Sequence, residues 1–184
     1  MRLRRLELEF EGTVRVEWKS FLLRPNPQPD RDLDQFREYT RSWARPAADS
    51  DAGTFREWST DAGPPSHSIP PHLVAKAAAT LGEDAFQSVH DRLLHAYFAE
   101  NRDISADETL RAIWRDAGLP DESFARREDP ALLRSVIDDH DEAVALGVNG
   151  VPAVRLEDGD AAVLGAQPLE VYRRWFARSI AARR

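Results

Sequence analysis

Residues 147–168, GVNGVPAVRLEDGDAAVLGAQP, constrain the fold of this chain more than any other stretch. Two short apolar runs, PAVRL and AAVLG, flank the acidic segment EDGD. Asp-Gly supplies the positive φ angles that a tight turn between two strands needs, so the stretch predicts a β-hairpin. Pro168 then begins a predicted helix whose apolar face contains Leu169, Tyr172, Trp175, Phe176 and Ile180.

The N-terminal residues predict a helix followed by a strand. The helix is indicated by apolar residues at helical spacing, which are Leu3, Leu6 and Phe10. The segment TVRVEWKSF then alternates apolar and charged residues, with Val14, Val16 and Trp18 on one side and Arg15, Glu17 and Lys19 on the other. This is the period of a strand with one buried face. The three prolines of RPNPQPD end this first unit.

Residues 34–128 are predicted to be mostly helical. Ser105 and Glu108 have the spacing of a capping box, and Asp129 with Pro130 is typical of a helix start. The segment SHSIPPH, residues 66–72, is either the polar mouth of a pocket or a rigid connection that caps a helix starting at His72, and we favour the connection. The element order predicts an α/β fold whose sheet is interrupted by a helical subdomain.

Composition and charge exclude several classes of function. The net charge of −7 over 184 residues disfavours binding to nucleic acid, and no apolar run is long enough to cross a membrane. The N-terminus is charged where a signal peptide would be apolar, so we expect a cytoplasmic protein. His90 and His95 are five residues apart, which does not suit two ligands on one helix, and we predict no metal site.

Cysteine is absent from the sequence. Without it the chain has no disulfide, no thiolate metal ligand and no thiol nucleophile of its own. This absence sets a limit on every function that depends on sulfur chemistry.

Four segments carry a resemblance to a known family: EWKSFLLRP, AYFAENRDIS, LGVNGVPAVRL and GAQP. Together they resemble the DsbA-like thioredoxin-fold family, most closely its cytoplasmic FrnE-like and 2-hydroxychromene-2-carboxylate isomerase branch. The resemblance covers nearly the whole chain and implies a thioredoxin-like fold with a large helical insertion. Residues 1–33 and 129–184 would form the two parts of the thioredoxin-like domain, and residues 34–128 would form the insertion.

The resemblance also implies a substrate-binding site. Pro152 matches the family's cis-proline, and the backbone of Val151 would pair with an extended thiol substrate or with glutathione. Gly165, Ala166 and Gln167 would lie beside this site where the last helix begins. The expected partner is therefore a thiol-containing peptide or small molecule, and glutathione or another low-molecular-weight thiol is the candidate cofactor.

The chain departs from the family pattern at its start. Family members begin with a strand and then carry Cys-x-x-Cys, or a serine in the isomerases, at the start of the first long helix. Met1 matches a point already inside that helix, so we expect the first strand and the start of the active-site helix to be missing. The inner edges of the strands at Val14–Trp18 and at Ala153–Leu156 would then be unpaired or would pair with each other.

Three functions remain open at this point. The first is a thiol-disulfide oxidoreductase or isomerase that is truncated or inactive, because no residue of this chain matches the reactive one. The second is a non-catalytic binder of a peptide or a low-molecular-weight thiol. The third is a glutathione-dependent isomerase of small aromatic substrates.

Overall fold

The computed structural model describes residues 2–157, 159 and 162–182. Its helices and its hairpin follow the predicted order, whereas the strand predicted after the first helix is absent from the described residues. The helices are α1 (Arg2–Glu9), α2 (Leu33–Thr40), α3 (Ala44–Ala47), α4 (Ile69–Ala79), α5 (Glu83–Phe98), α6 (Asp107–Asp116), α7 (Pro130–Ala145) and α8 (Leu169–Ala182), the strands are β1 (Ala153–Arg155) and β2 (Ala162–Leu164), and two 3₁₀ segments cover Arg41–Trp43 and Asp121–Glu128.

The predicted α/β fold with a large helical insertion is confirmed. β1 and β2 pair antiparallel, with Ala153 opposite Leu164 and Arg155 opposite Ala162. Gly159 donates its N–H to the carbonyl of Leu156 at 2.9 Å inside the turn. Asp158, the other half of the predicted Asp-Gly pair, lies outside the described residues.

Three clusters of buried side chains form most of the core of the described structure. In the insertion, α4, α5 and α6 pack around residues that include Val74, Val89, Leu110 and the fully buried Trp114. A second, aromatic cluster is centred on Phe36, Trp43 and Trp58. The third joins both ends of the chain, because Leu6 of α1 packs with Leu169, Tyr172 and Phe176 of α8, and Val14 and Val154 lie against it.

None of the described helices has both the length and the apolar character needed to span a membrane.

The strand predicted for Val14–Trp18 is not formed, and this prediction is wrong. The burial alternates as expected, with Val14, Val16 and Trp18 half-buried and the residues between them exposed. However, the segment pairs with neither described strand, and the sheet consists of β1 and β2. Of the two outcomes expected for the edges of this segment and β1, unpaired or paired with each other, the described structure shows the unpaired one.

Side chains take the place of a neighbouring strand along this segment. Val16 donates its N–H to Glu7 Oε1 at 2.7 Å, Ser20 to Asp139 Oδ2 at 2.9 Å, and Leu22 to His140 Nδ1 at 3.2 Å. Each of these side chains accepts a single backbone N–H, so these N–H groups need no neighbouring strand. The alternation of apolar and charged residues therefore does not lead to a β-ladder here.

Three predicted helix starts have different outcomes. Asp129 caps α7 as predicted, since its side chain accepts a hydrogen bond from the N–H of Ala131. The predicted start of α4 at His72 is three residues too late, because Pro70 and Pro71 fit the first turn, where no N–H is needed. The capping box is wrong: Ser105 donates its hydroxyl to Asp103 Oδ1 at 2.6 Å, and Ala106 is the N-cap of α6.

Candidate functional site

The residue before β1 has an exposed backbone. Gly165 donates its N–H to the carbonyl of Pro152 at 2.8 Å, which extends the hairpin pairing one step beyond Ala153. The Val151–Pro152 peptide bond is cis, and Val151 is 52% exposed. Within the described residues, neither the N–H nor the C=O of Val151 has a hydrogen-bond partner. We call this exposed backbone at residues 151–152, beside the turn at 165–167, the Val151 edge.

The turn beside the Val151 edge is fixed by side chains. Gly165 has a φ of +77°, a conformation that glycine adopts without strain. Tyr172 donates its hydroxyl to the carbonyl of Gly165 at 3.2 Å and accepts the N–H of Gln167 at 3.3 Å. The Gln167 side chain donates to the carbonyl of Leu164 at 3.0 Å. These contacts hold the entrance to α8 against the end of the hairpin.

Arg2 connects this turn to the helical insertion. Its guanidinium donates to the carbonyl of Gln167 at 3.1 Å, to Asp51 Oδ1 at 2.6 Å and to Asp49 Oδ2 at 2.7 Å. The hydrogen bond to Asp51 raises the pKa of Arg2 and lowers the pKa of Asp51. Three regions that are distant in sequence therefore meet at one side chain.

The structure brings together the five residues that the resemblance assigns to substrate binding. Val151 and Pro152 lie at the end of β1, Gly165 bonds to Pro152, and Gln167 bonds back to β2. Ala166 is exposed between the last two. Their contact with a ligand stays a prediction.

Two residues that shape the site were missed by sequence reasoning. Tyr172 was assigned to the apolar face of the last helix, although a buried tyrosine hydroxyl usually finds a polar partner and so gave a signal. The sequence carries no signal for the role of Arg2, because its acceptors lie 47, 49 and 165 positions away.

The arrangement suits recognition of an extended backbone. A free N–H and C=O next to a hairpin can pair with another extended chain by the hydrogen bonds of a β-ladder. Over the described residues, no group of acidic or histidine side chains is placed to hold a metal ion. Since the sequence has no cysteine, any sulfur in the chemistry of this site belongs to the ligand or to another molecule.

Fold and site together define a protein of the thioredoxin-fold class. The chain belongs to the DSBA-like thioredoxin domain family, whose model matches residues 1–177. No curated protein has a sequence that matches this chain significantly.

Solved structures share the fold. A protein from Nitrosomonas europaea described as a disulfide isomerase superimposes with a TM-score of 0.76 at 14% identity, over 99% of this chain and 89% of its own. The cytosolic disulfide reductase DsbM from Pseudomonas aeruginosa gives a TM-score of 0.70 at 19% identity, over 98% and 89% of the two chains. At these identities the likeness establishes the fold alone.

Proposed function

We propose that this chain binds the extended backbone of a thiol- or disulfide-containing peptide, or of a low-molecular-weight thiol such as glutathione, along the Val151 edge. The exposed, unpartnered backbone of Val151 in the described structure is the observation that carries the proposal. It lies next to a turn held by Tyr172 and Arg2, so the edge is already fixed before a ligand arrives. A preformed edge binds more tightly because less ordering is needed.

The chemistry of the ligand is proposed from the family and its neighbours. Membership of the DSBA-like family and the likeness to a disulfide isomerase and a disulfide reductase support a function in thiol-disulfide chemistry. The sequence provides no thiol, and we therefore assign to these 184 residues the recognition step and not the exchange of sulfur. We also propose that the chain belongs to the FrnE-like branch and is cytoplasmic. The likeness to the cytosolic reductase of Pseudomonas aeruginosa supports this location.

Calorimetry tests the proposal directly. The purified chain is titrated with reduced and oxidised glutathione, with mycothiol, and with an extended peptide that contains one cysteine. We expect saturable binding of at least one of these, and weaker binding of the same peptide with serine in place of cysteine. Heats equal to dilution for all of the ligands would contradict the proposal.

Two variants at one position locate the binding. Val151→Pro removes the N–H that would donate to the ligand, whereas Val151→Ala keeps the N–H and removes only the side-chain bulk. We expect at least about tenfold weaker binding for Val151→Pro, equal to about 1.4 kcal/mol, and a smaller effect for Val151→Ala. Equal affinities for the two variants, both folded by circular dichroism, would place the ligand elsewhere.

A further inference from the structure

The pairing of the hairpin decides which backbone groups of β1 face away from β2. Gly165 donates its N–H to the carbonyl of Pro152 at 2.8 Å, and the same register continues through β1. In an antiparallel pair, residues bonded to the partner strand alternate with residues whose N–H and C=O point to the other side. Because Pro152 bonds to β2, Val154 does so as well. The N–H and C=O groups of Ala153 and Arg155 therefore point away from β2.

The two edges of the hairpin differ in what covers them. On the β2 edge, the carbonyl of Leu164 accepts a hydrogen bond from the Gln167 side chain at 3.0 Å. On the β1 edge, the backbone groups of Val151 and the outward groups of Ala153 and Arg155 have no partner within the described residues. Val151 and Arg155 are both exposed. The open edge is thus not limited to Val151 but covers about 13 Å of extended chain, from residue 151 to residue 155.

Two different surfaces lie on the two faces of the β1 edge. On one face, Val154 packs against the apolar cluster of α1 and α8, and Val14 from the extended segment after α1 packs against the same cluster. On the other face, Glu142 of α7 accepts a hydrogen bond from Arg155 at 3.2 Å, and its second carboxylate oxygen lies 3.8 Å from Lys19 Nζ. A strand beside β1 therefore meets apolar side chains on one face and charged side chains on the other.

We propose that the β1 edge binds the extended backbone of a polypeptide over residues 151–155, so that the ligand is a peptide or protein segment of at least five residues. This inference rests on the proposed function, in which the ligand meets the chain at Val151. Pairing at Ala153 and Arg155 adds backbone hydrogen bonds at both residues. Glutathione has only two peptide bonds and cannot pair at all three positions. The ligand residue opposite Val154 is apolar, because side chains of paired residues share a face.

A series of synthetic peptides tests the length of the edge by calorimetry. The first is a tripeptide with a central cysteine. The other two add four residues, alternating valine and threonine from the cysteine outward, on its N-terminal side in one and on its C-terminal side in the other. We expect one extension to lower the Kd at least about tenfold and the other to change it less than about twofold, since only one direction follows β1.

The same series separates this inference from the proposed function. If the tripeptide binds and neither extension lowers the Kd more than about twofold, the longer edge is overturned and the site at Val151 stands. If none of the three peptides binds, both proposals fail.

Two proline variants locate the added binding. Ala153→Pro removes an N–H that faces the β1 edge, whereas Ala162→Pro removes one that faces the outer edge of β2, because Ala162 lies opposite Arg155. Neither N–H takes part in the pairing of the hairpin. We expect Ala153→Pro to raise the Kd of the tighter long peptide at least about tenfold and Ala162→Pro to leave it unchanged. Equal effects of the two variants would contradict the inference.

Hydrogen exchange on the unmodified chain gives a test that needs no variant to fold. The long peptide should slow exchange of the amides of Ala153 and Arg155 at least about tenfold, while the amide of Val154, already bonded to β2, should change little. No slowing at Ala153 and Arg155 overturns the proposal. It is also overturned if these two amides are already protected without peptide and sedimentation shows a dimer, since a second copy then occupies the edge.

Discussion

Asp139 is a buried carboxylate that bonds to two separate parts of the chain. It lies on α7, is 7% exposed, and accepts hydrogen bonds from the N–H of Ser20 at 2.9 Å and from Lys76 Nζ at 2.6 Å. Burial by itself would raise the pKa of Asp139, but the hydrogen bonds from Lys76 and Ser20 outweigh it and hold the pKa below the ordinary value. The charged carboxylate thereby attaches the segment after Trp18 to two helices.

Asp139→Asn should destabilise the fold by about 2–3 kcal/mol at neutral pH, because the amide is neutral and leaves the ammonium of Lys76 without its partner. Denaturant unfolding measures this change in the free energy of unfolding. Asp141→Asn is the control, since Asp141 is exposed on the same helix, and it should change stability by less than about 0.5 kcal/mol. Equal stability of the two variants would contradict the role given to Asp139.

The loss of stability caused by Asp139→Asn should depend on pH. A carboxylate whose folded pKa is lowered stabilises the protein above its unfolded pKa, and this contribution is lost as the pH falls through the folded pKa. The ordinary pKa of the group is 3.8. The stability difference between the unmodified chain and Asp139→Asn should therefore be constant near neutral pH and should decline below about pH 4.

At the scale of elements, the segment 14–24 is extended but belongs to no sheet in the described structure. Its N–H groups that face the helices are bonded to side chains, at Val16, Ser20, Leu22 and Arg24. Those of Arg15, Glu17, Trp18 and Lys19 have no partner among the described residues. The bonded N–H groups therefore lie at alternate positions, with a gap at Trp18.

Amide hydrogen exchange should report that alternation. We expect the amides of Ser20 and Leu22 to exchange at least about tenfold more slowly than those of Arg15, Glu17 and Lys19. In Asp139→Asn the amide of Ser20 should lose most of this protection, while that of Val16, bonded to Glu7, should keep it. Uniform exchange along residues 14–22 would show that the side-chain acceptors do not hold the segment.

At the scale of the whole molecule, Arg2 joins parts of the chain that no element connects. It lies at the start of α1 and bonds to the insertion at Asp49 and Asp51 and to the turn at Gln167. Its side chain is only 11% exposed, so these bonds are partly shielded from water. The Val151 edge therefore has a fixed position relative to the insertion.

Arg2→Gln should loosen both contacts at once. We expect faster amide exchange at residues 49–52 and at 165–168 in the same variant, with a loss of about 1–2 kcal/mol in the free energy of unfolding. Arg5→Gln, at an exposed position of α1, should change neither region. Faster exchange in only one of the two regions would contradict a direct connection through Arg2.

Much of the fold could be predicted because it depends on near neighbours in the sequence. The cap at Asp129 and the hairpin from Ala153 to Leu164 each result from residues within a few positions of one another. The family resemblance, carried by short segments such as GVPAVRL and GAQP, is confirmed by the family match. It assigned Val151, Pro152 and Gly165 to one site, and the structure places them together.

The rest was decided by tertiary structure, because the deciding partners are far apart in the sequence. Alternation predicted a strand at Val14–Trp18, but whether an extended segment pairs depends on what lies beside it. Next to Ser20 lies the side chain of Asp139, 119 positions away in the sequence, and not another strand. Ser105 had the spacing of a cap, yet its nearest favourable acceptor was Asp103. The sequence by itself determined which residues are apolar and where helices and turns form, whereas only the packed chain determined which backbone groups stay free to bind.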